Sequence, residues 1–110
     1  MHTTGDGLVV DTDEQAYRSA VNKAGSGSLL REVFVHRAGH CTFTPAETIS
    51  AFRTLVHRLD TGRWEDSTDP GAMNSAAAAL GSTFNVAPPS FIDFHPARFL
   101  RPFDARNVED

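Results

Sequence analysis

The sequence predicts an α/β fold in which two parallel strands alternate with two helices, and three observations support this. Val33–Val35 is a short apolar run, typical of a strand covered on both faces. A segment with the apolar spacing of a helix precedes this run and another follows it, each with its own start and stop signals. The length of 110 residues, with 40% hydrophobic and 22% charged side chains, suits one domain with a modest core.

The first half of the pattern is a strand stub followed by a helix. The stub ends at the turn Gly5-Asp6-Gly7. Thr12 is placed as the N-cap of the helix, and Gln15 three residues later completes a capping box. Because Gly25 follows the last residue with helical spacing, the helix is expected over residues 13–24.

The second half repeats this order with stronger signals. A strand is expected over Leu29–Val35, and a polar loop over residues 36–41 follows it. Thr44, Pro45 and Glu47 form a capping box with proline at the first helical position, and Gly62 ends this helix. One face of the helix carries its large apolar residues, Ile49, Phe52, Leu55, Val56 and Leu59.

Beyond Trp64 the pattern becomes irregular. A polar connector leads to an alanine-rich helix over residues 70–80, capped by Asp69 and ended at Gly81. Pro88-Pro89 then breaks the chain, and a tail rich in phenylalanine follows. The expectation is an irregular, partly helical extension.

Composition and charge exclude several classes of function. Ten basic and fourteen acidic side chains leave a net charge of −4, which argues against a nucleic-acid partner. No apolar run reaches the roughly 18 residues of a membrane span. The single cysteine, Cys41, excludes an intrachain disulfide and a multi-cysteine zinc site. The first residues lack the pattern of a secretory signal, and no localisation is predicted.

Asp6 and His40 are the candidate catalytic residues. Asp6 follows the first strand and His40 follows the second. A right-handed crossover between parallel strands brings these two ends side by side, at the edge where open α/β sheets build functional sites. An aspartate there can orient one histidine tautomer, so that the other ring nitrogen can take a proton from a nucleophile. Either residue alone also fits an ordinary turn.

The segments His2–Val9 and Val35–Phe43 resemble the C-terminal end of the α/β-hydrolase superfamily. In that family a Gly-x-x-Asp-x-x-Val-type turn supplies the acid of a catalytic triad and a Gly-His loop supplies the base, which implies these roles for Asp6 and His40. The resemblance implies a C-terminal fragment of a doubly wound parallel sheet. Residues 1–63 would be its strand–helix–strand–helix portion, and residues 64–110 an extension packed on it. Thr61–Trp64 and Phe99–Pro102 resemble a subgroup of exported hydrolases.

One departure from the family pattern limits what the resemblance implies. The family carries its serine nucleophile in a G-x-S-x-G turn, and this sequence contains no such pentapeptide. We therefore expect a chain that is inactive alone, derived from a serine-type hydrolase of esters, amides or peptides. The expected partner is a complementing N-terminal hydrolase portion or a second copy of the chain, and no cofactor is expected.

Two alternatives remain open on sequence grounds. His36, His40 and Cys41 lie within six residues, and with His2 and Asp6 nearby they could hold a metal ion. This alternative is weakened because their spacing falls on a loop rather than on one face of a helix. The other alternative is a non-catalytic interaction protein, since a sheet of two parallel strands leaves unpaired edges and uncovered helix faces.

Overall fold

The computed structural model describes residues 1–99, which form three strands and three α-helices. The strands are β1 (His2–Gly5), β2 (Phe34–Ala38) and β3 (Phe91–Ile92), and the helices are α1 (Thr12–Lys23), α2 (Pro45–Thr61) and α3 (Pro70–Ala78). A single 3-10 turn, Gly27–Leu29, precedes β2. The end of the phenylalanine-rich tail, including Arg101-Pro102 and Phe103, lies outside the described residues. Within residues 1–99, no helix combines the length and apolar character needed to cross a bilayer.

The sheet is mixed, with strand order β1-β2-β3. β1 runs parallel to β2 with His2 opposite Phe34, as the strand–helix–strand pattern predicts. β3 runs antiparallel to β2 with Phe91 opposite Val35. β3 is not predicted from the sequence, because two residues are too few to show the alternation that marks a strand.

β2 begins and ends later than predicted. Leu29 lies in the 3-10 turn rather than in the strand, and β2 continues beyond Val35 through His36 and Arg37. Strand length here is set by backbone pairing with both neighbours rather than by apolar side chains: the N–H of His36 donates to the Ser90 carbonyl at 2.8 Å. The apolar run itself is covered on both faces, as expected, since Phe34 and Val35 point to opposite faces and both are buried.

The hydrophobic core lies on the face of the sheet that carries Val35. Its buried members come from β2, β3, α2 and α3: Val35, Ala46, Met73, Ala77 and Phe91. On the opposite face the ring of Phe34 lies 5.2 Å from that of Phe94 and 6.4 Å from that of His2. One core therefore joins residues that precede Trp64 with residues that follow it.

The helix starts follow the predicted capping signals in two of three cases. Thr44 Oγ1 accepts a hydrogen bond from the Glu47 N–H, and Glu47 Oε2 accepts one from the Thr44 N–H, which completes the predicted capping box of α2. The Asp69 side chain caps α3 by accepting from the Ala72 N–H at 2.9 Å.

The capping box predicted for α1 is wrong. Thr12 is already helical, and Asp11 precedes the helix without a side-chain cap. Gln15 donates to Ser19 Oγ instead of reaching back to the cap. The helix nevertheless occupies nearly the predicted range, because its termination after Lys23 follows the glycine signal.

Four of the five large apolar side chains of α2 are exposed, and Ile49 is half-buried. Its buried residues are small or polar: Ala46, Glu47 and Ser50. Phe52 is 65% exposed and Leu59 is 75% exposed, and both Leu55 and Val56 are also exposed. These four residues are called the outer face of α2 below. Within the described residues, this face is only partly covered.

Candidate active site

Asp6 is held by the turn that follows β1. Its Oδ1 accepts hydrogen bonds from the backbone N–H groups of Leu8 at 2.8 Å and Val9 at 3.0 Å. Two backbone donors on one oxygen fix the orientation of the carboxylate and leave Oδ2 free to face another group. The strand end just before it requires glycine, because a Cβ on Gly5 would lie 2.9 Å from the Ala38 Cα.

His2 holds the same turn from β1, a contact that the sequence analysis missed. Its Nε2 lies 3.1 Å from the Val9 carbonyl oxygen, and its Nδ1 lies 3.0 Å from Glu14 Oε1 in α1. His2 is buried, and these contacts tie the turn to the first helix. A histidine beside a threonine pair in a short strand gave no sequence signal for this role.

His40 follows β2 in a loop anchored to β1. The Gly39 N–H donates to the Gly5 carbonyl at 2.9 Å, and Thr3 Oγ1 donates to the Gly39 carbonyl at 2.6 Å. Gly39 has a φ of +99°, a backbone conformation that side chains strongly disfavour. Glycine at this position therefore lets the chain turn sharply and present the next side chain, His40.

The two candidate residues meet where these loops converge. His40 Nδ1 lies 2.7 Å from Asp6 Oδ2. The Asp6 side chain is 4% exposed, whereas the His40 side chain is 43% exposed. The carboxylate is thus covered by the loops, while the imidazole faces solvent and can be reached from outside. We call these loops, residues 6–11 and 39–42, the carboxyl edge.

The surroundings of Asp6 favour its ionised form. Burial raises the pKa of the carboxyl, but hydrogen bonds from Val9, His40 and Leu8 outweigh that effect and lower the pKa from 3.8 to about 2. Asp6 is therefore a carboxylate at any pH near neutrality. It favours the His40 tautomer in which Nδ1 carries the proton and donates a hydrogen bond to Asp6 Oδ2.

The second nitrogen of His40 faces a thiol. Cys41 Sγ lies 3.5 Å from His40 Nε2, and Cys41 is exposed. Cys41 has a φ of 54°, in the left-handed region, which turns its side chain back toward the ring of the preceding residue. The sequence alone indicates no role for Cys41 beyond that of a possible metal ligand.

A buried ion pair anchors the end of β2 near this edge. Arg37 Nη1 and Nη2 lie 2.5 and 3.1 Å from the Glu47 carboxylate, and Glu47 is fully buried. Glu47 also accepts from the Ser90 N–H at 3.0 Å, next to β3. Burial raises the pKa of Glu47, but the bonds from Arg37, Thr44 and Ser90 outweigh it and hold that pKa below its usual value. The sequence had indicated only the capping role of Glu47.

The metal alternative gains no support from the geometry. Among residues 1–99, no group of three or more histidine, cysteine, aspartate or glutamate side chains is placed to hold a metal ion. His36 lies within β2, where its Nδ1 is 3.5 Å from Thr4 Oγ1, and not in the loop with His40.

Comparison with known proteins relates the chain to a hydrolase. It is 37% identical over 79 residues to the o-phthalyl amidase of Xanthobacter agilis. The matched region covers 72% of this chain and 17% of the amidase, so the chain spans about a sixth of that protein's length. No family model matches the chain, and no solved structure matches it.

Proposed function

We propose that the chain is the acid–base portion of a serine-type α/β hydrolase, with Asp6 as the triad acid and His40 as the general base. The observation that carries this proposal is the 2.7 Å contact between Asp6 Oδ2 and His40 Nδ1 at the ends of adjacent parallel strands. The similarity to an amidase adds support, since amide hydrolysis is one reaction of such a pair.

The two ring nitrogens of His40 have different proposed roles. Nδ1–H donates to Asp6, which stays ionised and stabilises the imidazolium that forms during reaction. Nε2 takes the proton from an attacking serine hydroxyl and later returns it to the leaving group. The solvent-facing imidazole and the covered carboxylate suit these roles, because only the histidine has to reach the reacting atoms.

The serine is proposed to come from a complementing N-terminal hydrolase portion. The sequence has no G-x-S-x-G turn, and it corresponds to 17% of the related amidase. In this proposal residues 1–63 complete a doubly wound parallel sheet, and residues 64–110 form the extension. An antiparallel edge strand such as β3 is common on such sheets.

The outer face of α2 is the proposed contact for that complementing portion. Four large apolar side chains on one helix are costly to leave in water, and their burial would stabilise the assembly. The same face favours a second candidate function, a non-catalytic protein that associates with another copy of itself. The two candidates differ in whether the Asp6–His40 pair is used.

A hybrid enzyme tests the proposal. In the Xanthobacter agilis amidase, the segment that matches this chain is replaced by this chain, and amide hydrolysis is measured. We expect activity in the hybrid, a loss of about 1,000-fold or more with His40→Asn, and little change with the matched control His36→Asn. A folded hybrid that is inactive, or whose activity survives His40→Asn, would overturn the proposal.

The chain alone supplies a second test that does not depend on folding of the hybrid. Because a thiol can also attack this ester, the test uses Cys41→Ala: without a serine nucleophile this variant should give no burst of nitrophenol from nitrophenyl acetate. A burst from Cys41→Ala that disappears when His40→Asn is added would show that the chain carries its own hydroxyl nucleophile and would contradict this part of the proposal.

A further inference from the structure

At the carboxyl edge, His40 contacts a second side chain besides Asp6. Asp6 faces His40 Nδ1 at 2.7 Å, and Cys41 Sγ faces His40 Nε2 at 3.5 Å. A nucleophile within reach of a base, with that base oriented by a third group, is the arrangement that activates nucleophilic side chains. All three groups of this arrangement lie within residues 1–99.

The position of the thiol does not follow from adjacency in sequence alone. Neighbouring residues on a strand point to opposite sides. Here Cys41 has a left-handed φ of 54°, and its thiol lies 3.5 Å from the imidazole of the preceding residue. Cys41 is exposed and the His40 side chain is 43% exposed, so a small molecule in solution can approach both.

We propose that Cys41 is a modification site for small α,β-unsaturated carbonyl compounds, with His40 as its base and Asp6 as a positioning residue. This inference uses the same Asp6–His40 pair as the proposed hydrolase. It needs no serine and no second polypeptide, so either proposal can fail without the other.

The proposed step is an addition with no leaving group. The thiol proton moves to His40 Nε2, and the sulfur forms a bond to the β-carbon of the electrophile. The π electrons of the carbon–carbon double bond shift toward the carbonyl oxygen to give an enolate. The enolate then takes the proton from the His40 imidazolium at its α-carbon, which returns the histidine to its neutral form. The thiolate is the reactive form in such additions.

The test uses acrylamide as the probe and the mass of the intact protein as the readout. Because Cys41 is the single cysteine, every cysteine adduct reports on this residue, and Cys41→Ser supplies the blank. We expect the second-order rate constant at pH 7 to fall at least tenfold with His40→Asn or His40→Gln, and to stay unchanged with the matched control His36→Asn. Asp6→Asn should lower the rate and change the shape of its pH profile, since an amide cannot stabilise the imidazolium.

A second comparison requires no variant. Native wild-type protein should react at least tenfold faster than the same protein unfolded in urea, after correction for the effect of urea on a small free thiol. Equal rates in native and unfolded protein, or equal rates in wild type and folded His40→Asn, would overturn the proposal.

Discussion

The carboxyl edge and the outer face of α2 differ in how many of their contacts this chain itself supplies. At the edge, Asp6 has partners in both loops, His40 pairs with Asp6, and Gly39 is bonded to Gly5 of β1. On the outer face, Phe52 and Leu59 are mostly exposed. The difference indicates that the orientation of the proposed acid and base is encoded within residues 1–99, while the full cover of the helix is not found there.

The largest effect is expected at the ion pair that anchors the edge. Glu47→Ala leaves the Arg37 guanidinium and two backbone N–H groups without their carboxylate, and should destabilise the fold by about 3 kcal/mol or more. Glu47→Gln is the matched control, since it keeps the shape and some of the hydrogen bonds and should cost less. Urea unfolding measures both, and equal stabilities for Glu47→Ala and wild type would show that the edge is not anchored through this pair.

Substitutions on the outer face of α2 should have little effect on the stability of the monomer. Phe52→Ser and Leu59→Ser should change the free energy of unfolding of the monomer by no more than about 0.5 kcal/mol, because these side chains are already in water. Met73→Ala, in the core, is the matched control and should cost about 2–5 kcal/mol.

The same outer-face variants should reduce association. Wild type should self-associate in sedimentation at several concentrations, or bind a hydrophobic dye in a separate measurement. Phe52→Ser should show less of both. A wild-type chain that is a stable monomer without dye binding would contradict the idea that this face needs a partner.

Local signals predicted the parts of the fold that depend on local physics. The capping box at Thr44 and Glu47 and the Asp69 cap are set by residues three positions apart, so the sequence reveals them. The parallel pairing of β1 and β2 followed from the crossover rule. The candidate residues Asp6 and His40 could be named because strand ends and glycine turns are visible in sequence, and their proposed roles came from the family resemblance.

Other features depend on contacts between distant residues, and the sequence did not reveal them. β3 exists because Phe91 and Ile92 pair with β2, and not because of their own pattern. The sequence also did not show that the outer face of α2 is exposed. Apolar spacing shows which residues share a helix face, but it does not show whether this chain covers that face. The approach of Cys41 to His40 required the backbone angles.

The most direct test of the carboxyl edge is the titration of the Asp6 carboxyl, followed by its carbon NMR resonance. With a pKa of about 2 in the folded chain against an ordinary value of 3.8, ionised Asp6 contributes its full stability above pH about 4. That contribution is lost as the pH falls toward 2. His40→Asn should raise the midpoint, because one of the bonds that lower it is removed. We predict a wild-type midpoint near 2. A midpoint at the ordinary value, unchanged by His40→Asn, would contradict the pairing on which the account depends.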